Sequence, residues 1–317
     1  MTVAAHTDTS RGTRATIVAA FLAIYLIWGT TFLGIRIAVE TIPPFLMAGL
    51  RFVLAGGVML PVVLARGGRF PSPRHWRSAA IGGGLMLAGG IGLVSVAERR
   101  IPSGLAALMV ATIPVWITLL EWLGCGGQRP GAQVFLGLGL GLAGAALLFA
   151  PAGGMEAGDD LAGLGIALLG ALFFALGSLY SRRAPLPADT RVGTASEMLA
   201  GGLLLLLVSL LVGEPAHLDA AAISTRSLGA LAYLIVLGSI VGYTAYLWLL
   251  KTVEPAKVAT NFYVNPVIAV LVGWLVAGEA VTATMLAAAA VILLGVAVIN
   301  AAPPRDVAAT ERGQAGG

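Results

Sequence analysis

The sequence has little charge and few of the side chains that build catalytic or metal centres. Only 11% of its 317 residues are charged, it holds a single cysteine, and its three histidines fall in tails or loops. Since a soluble domain carries about 25% charged residues, this composition excludes an ordinary water-soluble enzyme and a disordered chain. One cysteine excludes a disulfide framework and a cysteine-rich zinc site. We therefore expect neither a metal nor a cofactor.

Apolar residues are abundant instead, at 58% of the chain, with a mean hydropathy of +0.93. A helix that crosses a bilayer needs about 20 apolar residues. Runs of this length cover residues 17–37, 43–65, 78–97, 103–124, 132–150, 161–181, 192–213, 228–250, 256–277 and 281–300. They lack the period-2 alternation of barrel strands, so they predict an all-α membrane protein with ten transmembrane helices. The tails, 1–16 and 301–317, are expected to be disordered.

The basic residues predict the orientation of these spans. With the N-terminus in the cytoplasm, most of the 19 Lys and Arg residues fall on cytoplasmic segments. We therefore expect a multi-pass protein of the cell inner membrane with both termini cytoplasmic. The same placement explains the net charge of +4 without nucleic acid, because no loop concentrates a basic stripe. The lipid bilayer is the expected partner.

The two halves of the chain resemble each other. Leu-Ala-Gly-Gly at 54–57 recurs at 199–202, and Pro114 and Trp122 keep the spacing of Pro266 and Trp274. The shared order predicts two five-helix repeats, 17–150 and 161–300. Because five is odd, the second repeat must insert upside down, and inverted repeats are typical of secondary transporters with a site near the membrane midplane.

Several longer motifs, in order, carry a family resemblance. They are Tyr25–Phe32, Pro43–Phe45, Leu50–Phe52, Ala97–Glu98, Ile101–Leu108, Val264–Val267 and Gly278–Glu279. Over residues 17–300 the chain resembles the EamA-type permeases of the drug/metabolite transporter superfamily, and among them the YedA-like exporters. The resemblance implies ten helices, cytoplasmic termini and a central cavity lined largely by spans 1, 3, 4, 6, 8 and 9. One departure is Gly126-Gly127, where the family often has Gly-Glu.

Charged side chains within or beside the spans are the first candidate site residues. Arg51 is the one basic residue inside a span, where a charge costs about 2.5–3.5 kcal/mol at the helix centre. We expect it to contact Glu98 at the outer end of span 3, although packing or snorkelling outward is an alternative. Glu121 and Glu197, near inner helix ends, are candidates for proton coupling. Their alternative is pairing with cytoplasmic cations such as Arg182, Arg183 or Lys257.

Polar and aromatic residues at depth are the second group of candidates. Asn261 and Asn265 share one face of span 9, and Pro114 and Pro266 predict interrupted helices at equivalent places in the two halves. The other candidates for lining a cavity are Trp28, Thr31, Trp116, Tyr180, Tyr243 and Tyr246. An aromatic cavity with few charges suits an amphipathic organic solute. Hydrogen bonding between helices and ordinary packing are the alternatives.

Glycine motifs inside the spans point to packing. Gly139-x-Gly141-x-x-Gly144 matches a dinucleotide fingerprint, but no strand precedes it. Gly137-x-x-x-Gly141 and Gly238-x-x-x-Gly242 predict close helix packing, within the fold or between protomers of a homodimer.

Together these features predict a secondary active transporter that exports small organic metabolites, amino acids or drugs by alternating access. Direction rests mainly on the resemblance, and proton coupling is left open. An uncoupled facilitator or channel is the alternative reading. A membrane-embedded enzyme would need convergent His, Asp or Ser groups at depth, which the spans lack.

Overall fold

The computed structural model describes residues 6–124, 131–148, 159–253 and 261–301, and within these ranges it contains helices and no strand. The first half comprises α1 (His6–Ala38), α2 (Pro44–Ala65), α3 (Pro73–Ala97), α4 (Ser103–Val110 and Ile113–Gly124) and α5 (Ala132–Leu148). The second half comprises α6 (Asp159–Arg183), α7 (Thr190–Leu211), α8 (Thr225–Tyr233, Leu234–Val241 and Gly242–Thr252), α9 (Asn261–Ala277) and α10 (Ala283–Asn300). The all-helical expectation is confirmed for these residues.

Seven helices in the described part of the chain, α1–α4 and α6–α8, are long and apolar enough to cross a membrane. The apolar parts of α5, α9 and α10 have 10–17 residues each, so the count of ten spans stays a prediction. The last residues of the predicted fifth span (149–150) and the first residues of the predicted ninth span (256–260) lie outside the described residues.

Apolar side chains cover the outside of the bundle. On α1, Val18, Leu22 and Leu26 are each more than half exposed and recur every fourth residue, so they form one stripe. Leu54, Val58 and Val62 form a similar stripe on α2. A surface of this kind is stable against lipid tails and would be unfavourable in water.

Part of the N-terminal tail, residues 1–16, which was expected to be disordered, is helical. The helix α1 already begins at His6, so residues 6–16 are helical. Adding residues to an existing helix is favourable compared with starting one, and no proline interrupts this stretch. Residues 1–5 and 302–317 of the expected tails lie outside the described residues.

The helices α2 and α7 form the most extensive pair in the bundle. Gly49 lies against Leu206, Gly202 against Val53 and Gly56 against Leu199. Because numbers rise along one helix as they fall along the other, the two helices run antiparallel. A Cβ on Gly56 would lie 2.8 Å from the backbone nitrogen of Leu199. The duplicated Leu-Ala-Gly-Gly segments therefore meet where the backbones approach most closely.

The helices α5 and α10 form the matching pair at the other side of the bundle. Gly137, Gly141 and Gly144 of α5 lie against Ile299, Gly295 and Ile292 of α10, again in antiparallel order. The expected role of Gly137-x-x-x-Gly141 in close packing thus appears as a contact within the chain.

The remaining contacts follow the same internal symmetry. The helix α1 packs on α8 and α9, while its counterpart α6 packs on α3 and α4. In addition, α3 and α8 each contain an eight-residue π-helical stretch, at Gly84–Ile91 and Leu234–Val241. The contacts of α1 with α8 and α9 therefore have counterparts in the contacts of α6 with α3 and α4.

The proline interruptions predicted in α4 and α9 are not alike. The helix α4 stops at Val110 because Pro114 lacks an N–H and its ring would clash with the Val110 carbonyl. It resumes at Ile113, and Thr112 Oγ1 donates to the Met109 carbonyl at 2.6 Å. By contrast, α9 runs unbroken through Pro266 from Asn261 to Ala277, so the predicted interruption is not present there. Transmembrane helices tolerate proline because neighbouring helices and local backbone adjustments can satisfy the freed carbonyl.

Candidate functional site

Three predicted aromatic residues come together in the structure. Trp28 of α1 lies 5.4 Å from Tyr243 and 5.1 Å from Tyr246 of α8, measured between ring centroids. The Trp28–Tyr243 pair has edge-to-face geometry, which the ring quadrupoles favour. This aromatic group (Trp28, Tyr243 and Tyr246) offers ring surface at mid-depth of α1.

The π-helical stretch of α8 supplies the polar contacts of this group. Its Gly238 carbonyl accepts a hydrogen bond from Trp28 Nε1 at 3.1 Å, and Ser239 Oγ accepts one from Arg51 Nε at 2.9 Å. Isolated π-helical turns occur frequently at functional sites because they re-aim backbone groups. No pattern in the sequence indicated the polar role of Gly238 and Ser239.

The glycines of Gly238-x-x-x-Gly242 make room for this arrangement. A Cβ on Gly242 would overlap the Trp28 indole nitrogen, and a Cβ on Gly238 would lie 3.0 Å from Thr31 Cγ2 and 3.2 Å from an Arg51 nitrogen. The expected close packing thus involves the side chains of Trp28, Thr31 and Arg51 rather than a second helix backbone.

Arg51 is the charged member of the site. Its side chain is 5% exposed, and its guanidinium carbon lies 4.8 Å from the Phe52 ring centroid. The predicted contact with Glu98 does not form: Arg51 Nε bonds to Ser239, and both Glu98 carboxyl oxygens have no hydrogen-bond partner. The expectation was wrong because depth along the helix does not reveal which neighbour a side chain faces. Among the described residues, Arg51 is the one buried cation, and Ser239 and the neighbouring Gly238 link it to the aromatic group.

The remaining polar candidates are buried without partners. Three side-chain atoms have no hydrogen bond within the described structure: Asn261 Oδ1, Asn265 Oδ1 and Trp116 Nε1. Trp116 packs against α6 beside Ala171 and Ala175. A buried polar atom left unpaired costs about 1–3 kcal/mol, so each of these atoms keeps a hydrogen-bonding capacity that the described structure does not use. Tyr180 is half-buried on α6.

The two proton-coupling candidates differ from each other. Glu121 accepts a hydrogen bond from Arg182 at 2.7 Å, and both side chains are exposed. This geometry favours the interfacial pairing over a coupling role. Glu197 is half-buried on α7, accepts a hydrogen bond from Ser181 Oγ and lies against Gly82 of α3. Lys257 lies outside the described residues.

A second polar cluster occupies the end of the bundle where α1 and α3 finish. Arg36 Nη1 donates to the carbonyl oxygens of Glu98 (2.7 Å) and Ile101 (2.6 Å), and its Nε lies 3.7 Å from Glu279. Glu279 in turn caps α4, accepting from Ser103 N and Oγ at 2.8 and 2.9 Å. This cluster holds together the ends of α1, α3 and α4.

Glu98 is the unpaired member of this cluster. It follows the last residue of α3 and is 1% exposed. Burial raises the pKa of the Glu98 carboxyl well above its usual range, while the nearby charge of Arg36 opposes that shift. Glu98 is the one residue of this cluster that was predicted as a site residue. Glu279 entered the sequence argument only through the Gly278-Glu279 motif of the family resemblance.

Two grooves flank α8. One, of about 460 Å³, lies between α2 and α8, with apolar walls such as Val58 and Ile240 and with Arg66 and Arg191 at its rim. The other, of about 370 Å³, lies between α1 and α8 beside Thr30 and Tyr233. None of the three residues of the aromatic group lines either groove.

Comparison with known proteins assigns this architecture. The model of the EamA-like transporter family matches twice, over residues 15–150 and 161–301. The uncharacterized inner membrane transporter YedA of Escherichia coli strain K12 is 38% identical over 282 residues, covering 89% of each chain. A probable amino-acid metabolite efflux pump of Salmonella typhimurium is 26% identical, covering 86% of this chain and 91% of the relative.

A solved crystal structure shows a similar fold. It superposes with a TM-score of 0.58 at 25% identity and covers 90% of this chain and 97% of the solved chain.

Proposed function

Because the chain belongs to the EamA-like transporter family, we propose that it is a secondary active transporter that exports small organic solutes across the inner membrane. The observation that carries this proposal is the aromatic group on α1 and α8, joined to buried Arg51 through Gly238 and Ser239. Such a site combines apolar surface with a few fixed polar groups, as ligand sites generally do.

The proposed mechanism is alternating access by two inverted repeats, 17–150 and 161–300, joined as ten spans with both termini cytoplasmic. The antiparallel pairs α2–α7 and α5–α10 support inversion, because each pair joins equivalent helices of the two halves. A two-fold axis that reverses a helix lies in the membrane plane. One half rocking against the other would expose the aromatic group first to one side and then to the other.

The proposed substrates are amphipathic organic solutes, with amino acids and their derivatives as the leading class. Arg51 would bind the carboxylate of such a solute, and the aromatic group, linked to Arg51 through Ser239 and Gly238, would contact its apolar or aromatic body. The unpaired amide oxygens of Asn261 and Asn265 would accept hydrogen bonds from an ammonium or hydroxyl group. One relative carries the name of an amino-acid metabolite efflux pump.

Uptake into inside-out membrane vesicles tests this function. A panel of labelled amino acids and cationic dyes is presented with and without an imposed proton gradient. We expect saturable uptake of at least one compound, increased by the gradient and strongly reduced in Asn265→Ala. Saturable uptake that does not depend on the proton gradient would instead indicate an uncoupled facilitator. No uptake of any compound by protein shown to be folded would contradict the proposal.

A further inference from the structure

The α3–α4 turn encloses a carboxyl group that the proposed site does not use. Glu98 is 1% exposed, and neither of its carboxyl oxygens meets a hydrogen-bond donor. Three charged groups face it from other elements: Arg36 of α1, Arg51 of α2 and Glu279 between α9 and α10. A buried ionised carboxylate without a hydrogen bond is strongly disfavoured, whereas the neutral acid is tolerated. The observed packing therefore suits the protonated form.

The nearest cation is occupied elsewhere. Arg36 directs Nη1 at the backbone carbonyls of Glu98 and Ile101, and thereby joins the two sides of the α3–α4 turn. Its Nε faces Glu279, which already caps α4 through Ser103 and Gly104. Arg36 thus stabilises the turn through backbone oxygens while the carboxyl of Glu98 remains unpaired.

Loss of the Glu98 proton would change this balance. An ionised Glu98 carboxylate would attract the Arg36 guanidinium, because a charge-assisted pair is stronger than a bond to a neutral carbonyl. Arg36 could satisfy Glu98 only by releasing the carbonyls of the turn and weakening its pairing with Glu279. Arg36 would therefore have two alternative sets of partners, and the protonation state of Glu98 would select between them.

We propose that the Glu98 carboxyl is a proton-binding site of this transporter. When the carboxyl is protonated, Arg36 holds the α3–α4 turn closed; when it is ionised, Arg36 turns to Glu98 and the ends of α1, α3 and α4 separate. The proton binds to and leaves from the same carboxyl oxygen. Its coupling to solute movement rests on the proposed function, whereas the proton site itself does not.

Infrared difference spectroscopy of the full chain in lipid nanodiscs tests the site without any solute. We expect a carbonyl band of a protonated carboxylic acid at neutral pH that is lost in Glu98→Gln and shifted in Glu98→Asp. The matched control is Glu121→Gln, which removes an exposed, paired carboxylate and should leave the band unchanged. If Glu98→Gln does not fold, the Glu98→Asp shift still identifies the band. A band that is absent, or unaltered in both Glu98 variants, would overturn the proposal.

Hydrogen–deuterium exchange tests the switch. After correction for intrinsic rates, amides of residues 98–104 should lose protection as the pH rises in the wild type and stay protected in Glu98→Gln. The same pH response in both proteins would contradict the Arg36 exchange. Because neither readout involves transport, missing solute uptake with both readouts intact would refute only the proposed function.

Discussion

At the scale of single residues, Trp28 joins the aromatic group to the π-helical stretch of α8 through one hydrogen bond. Replacing Trp28 with Phe keeps a ring but leaves the Gly238 carbonyl without its donor. We expect a loss of about 0.5–1.5 kcal/mol of stability, the net contribution of one hydrogen bond. Thermal unfolding in detergent measures it, and Trp274→Phe, at a side chain 54% exposed, is the control. Equal changes in both variants would count against the interior role of Trp28.

A second prediction at this scale concerns Glu279, which caps a helix that is distant in sequence. Its carboxylate accepts three bonds from Ser103 and Gly104. The variant Glu279→Ala should lose about 1.5–3 kcal/mol, since bonds to charged groups contribute more than neutral ones. Chemical unfolding in mixed micelles measures this loss. The control is Glu40→Ala, which removes an exposed ion pair with Arg226 and should lower the stability by about 0–1 kcal/mol. The prediction fails if the two losses are the same.

Single residues also show where sequence reasoning stops. Residue type and depth were enough to name Arg51, Trp28, Tyr243 and Tyr246 as separate candidates, but they did not predict that the three aromatic rings meet. The partner of Arg51 was predicted wrongly, since the rotation of each helix decides which side chains meet. The Glu279 cap joins residues separated by more than 170 positions, and no local pattern reports such a bond.

At the scale of helices, the adjacent glycines Gly56 and Gly57 of α2 differ in the space around them. A Cβ on Gly56 would collide with the α7 backbone, while one on Gly57 would touch only Leu199 Cδ2 at 4.0 Å. We expect Gly56→Ala to destabilise the protein by about 1–3 kcal/mol through overpacking. In contrast, Gly57→Ala should be neutral or stabilising by up to about 1 kcal/mol because alanine favours the helix. Melting temperatures of the two purified variants decide the matter, and equal temperatures would disprove the close α2–α7 contact.

The predictability of the helices varies with the signal that each one carries. Long apolar runs locate the spans, and Pro114 locates the break in α4. The π-helical stretches of α3 and α8 have no residue signature, since they arise from how each helix meets its neighbours. Consequently, the backbone that presents Gly238 and Ser239 was not predictable from the sequence.

At the scale of the whole molecule, the proposed inverted topology makes a prediction about the side of the membrane on which each loop lies. In a Cys125→Ser background, a cysteine at position 217 should react with a membrane-impermeant maleimide added to intact cells. A cysteine at position 70 should react only after the membrane is opened, because the predicted topology places it on the cytoplasmic side. Phe70 is 71% exposed and His217 is also exposed, so burial does not prevent labelling at either site. The reverse pattern would contradict the proposed orientation.

The duplicated sequence indicated one feature of the whole-molecule arrangement. The Leu-Ala-Gly-Gly repeat indicated two related halves, and the structure brings its two copies into the α2–α7 contact. The grooves beside α8 could not be anticipated, because empty space depends on how all the neighbouring side chains pack.

The most direct measurement is exchange of labelled solute across proteoliposomes, using the compound that the vesicle panel selects. Wild type and Trp274→Ala, which changes a lipid-facing tryptophan, should both show saturable exchange accelerated by unlabelled solute on the far side. Trp28→Ala should reduce that exchange by about tenfold or more, equivalent to about 1.4 kcal/mol of lost binding. Equal exchange in Trp28→Ala and Trp274→Ala would contradict a transport site at the aromatic group.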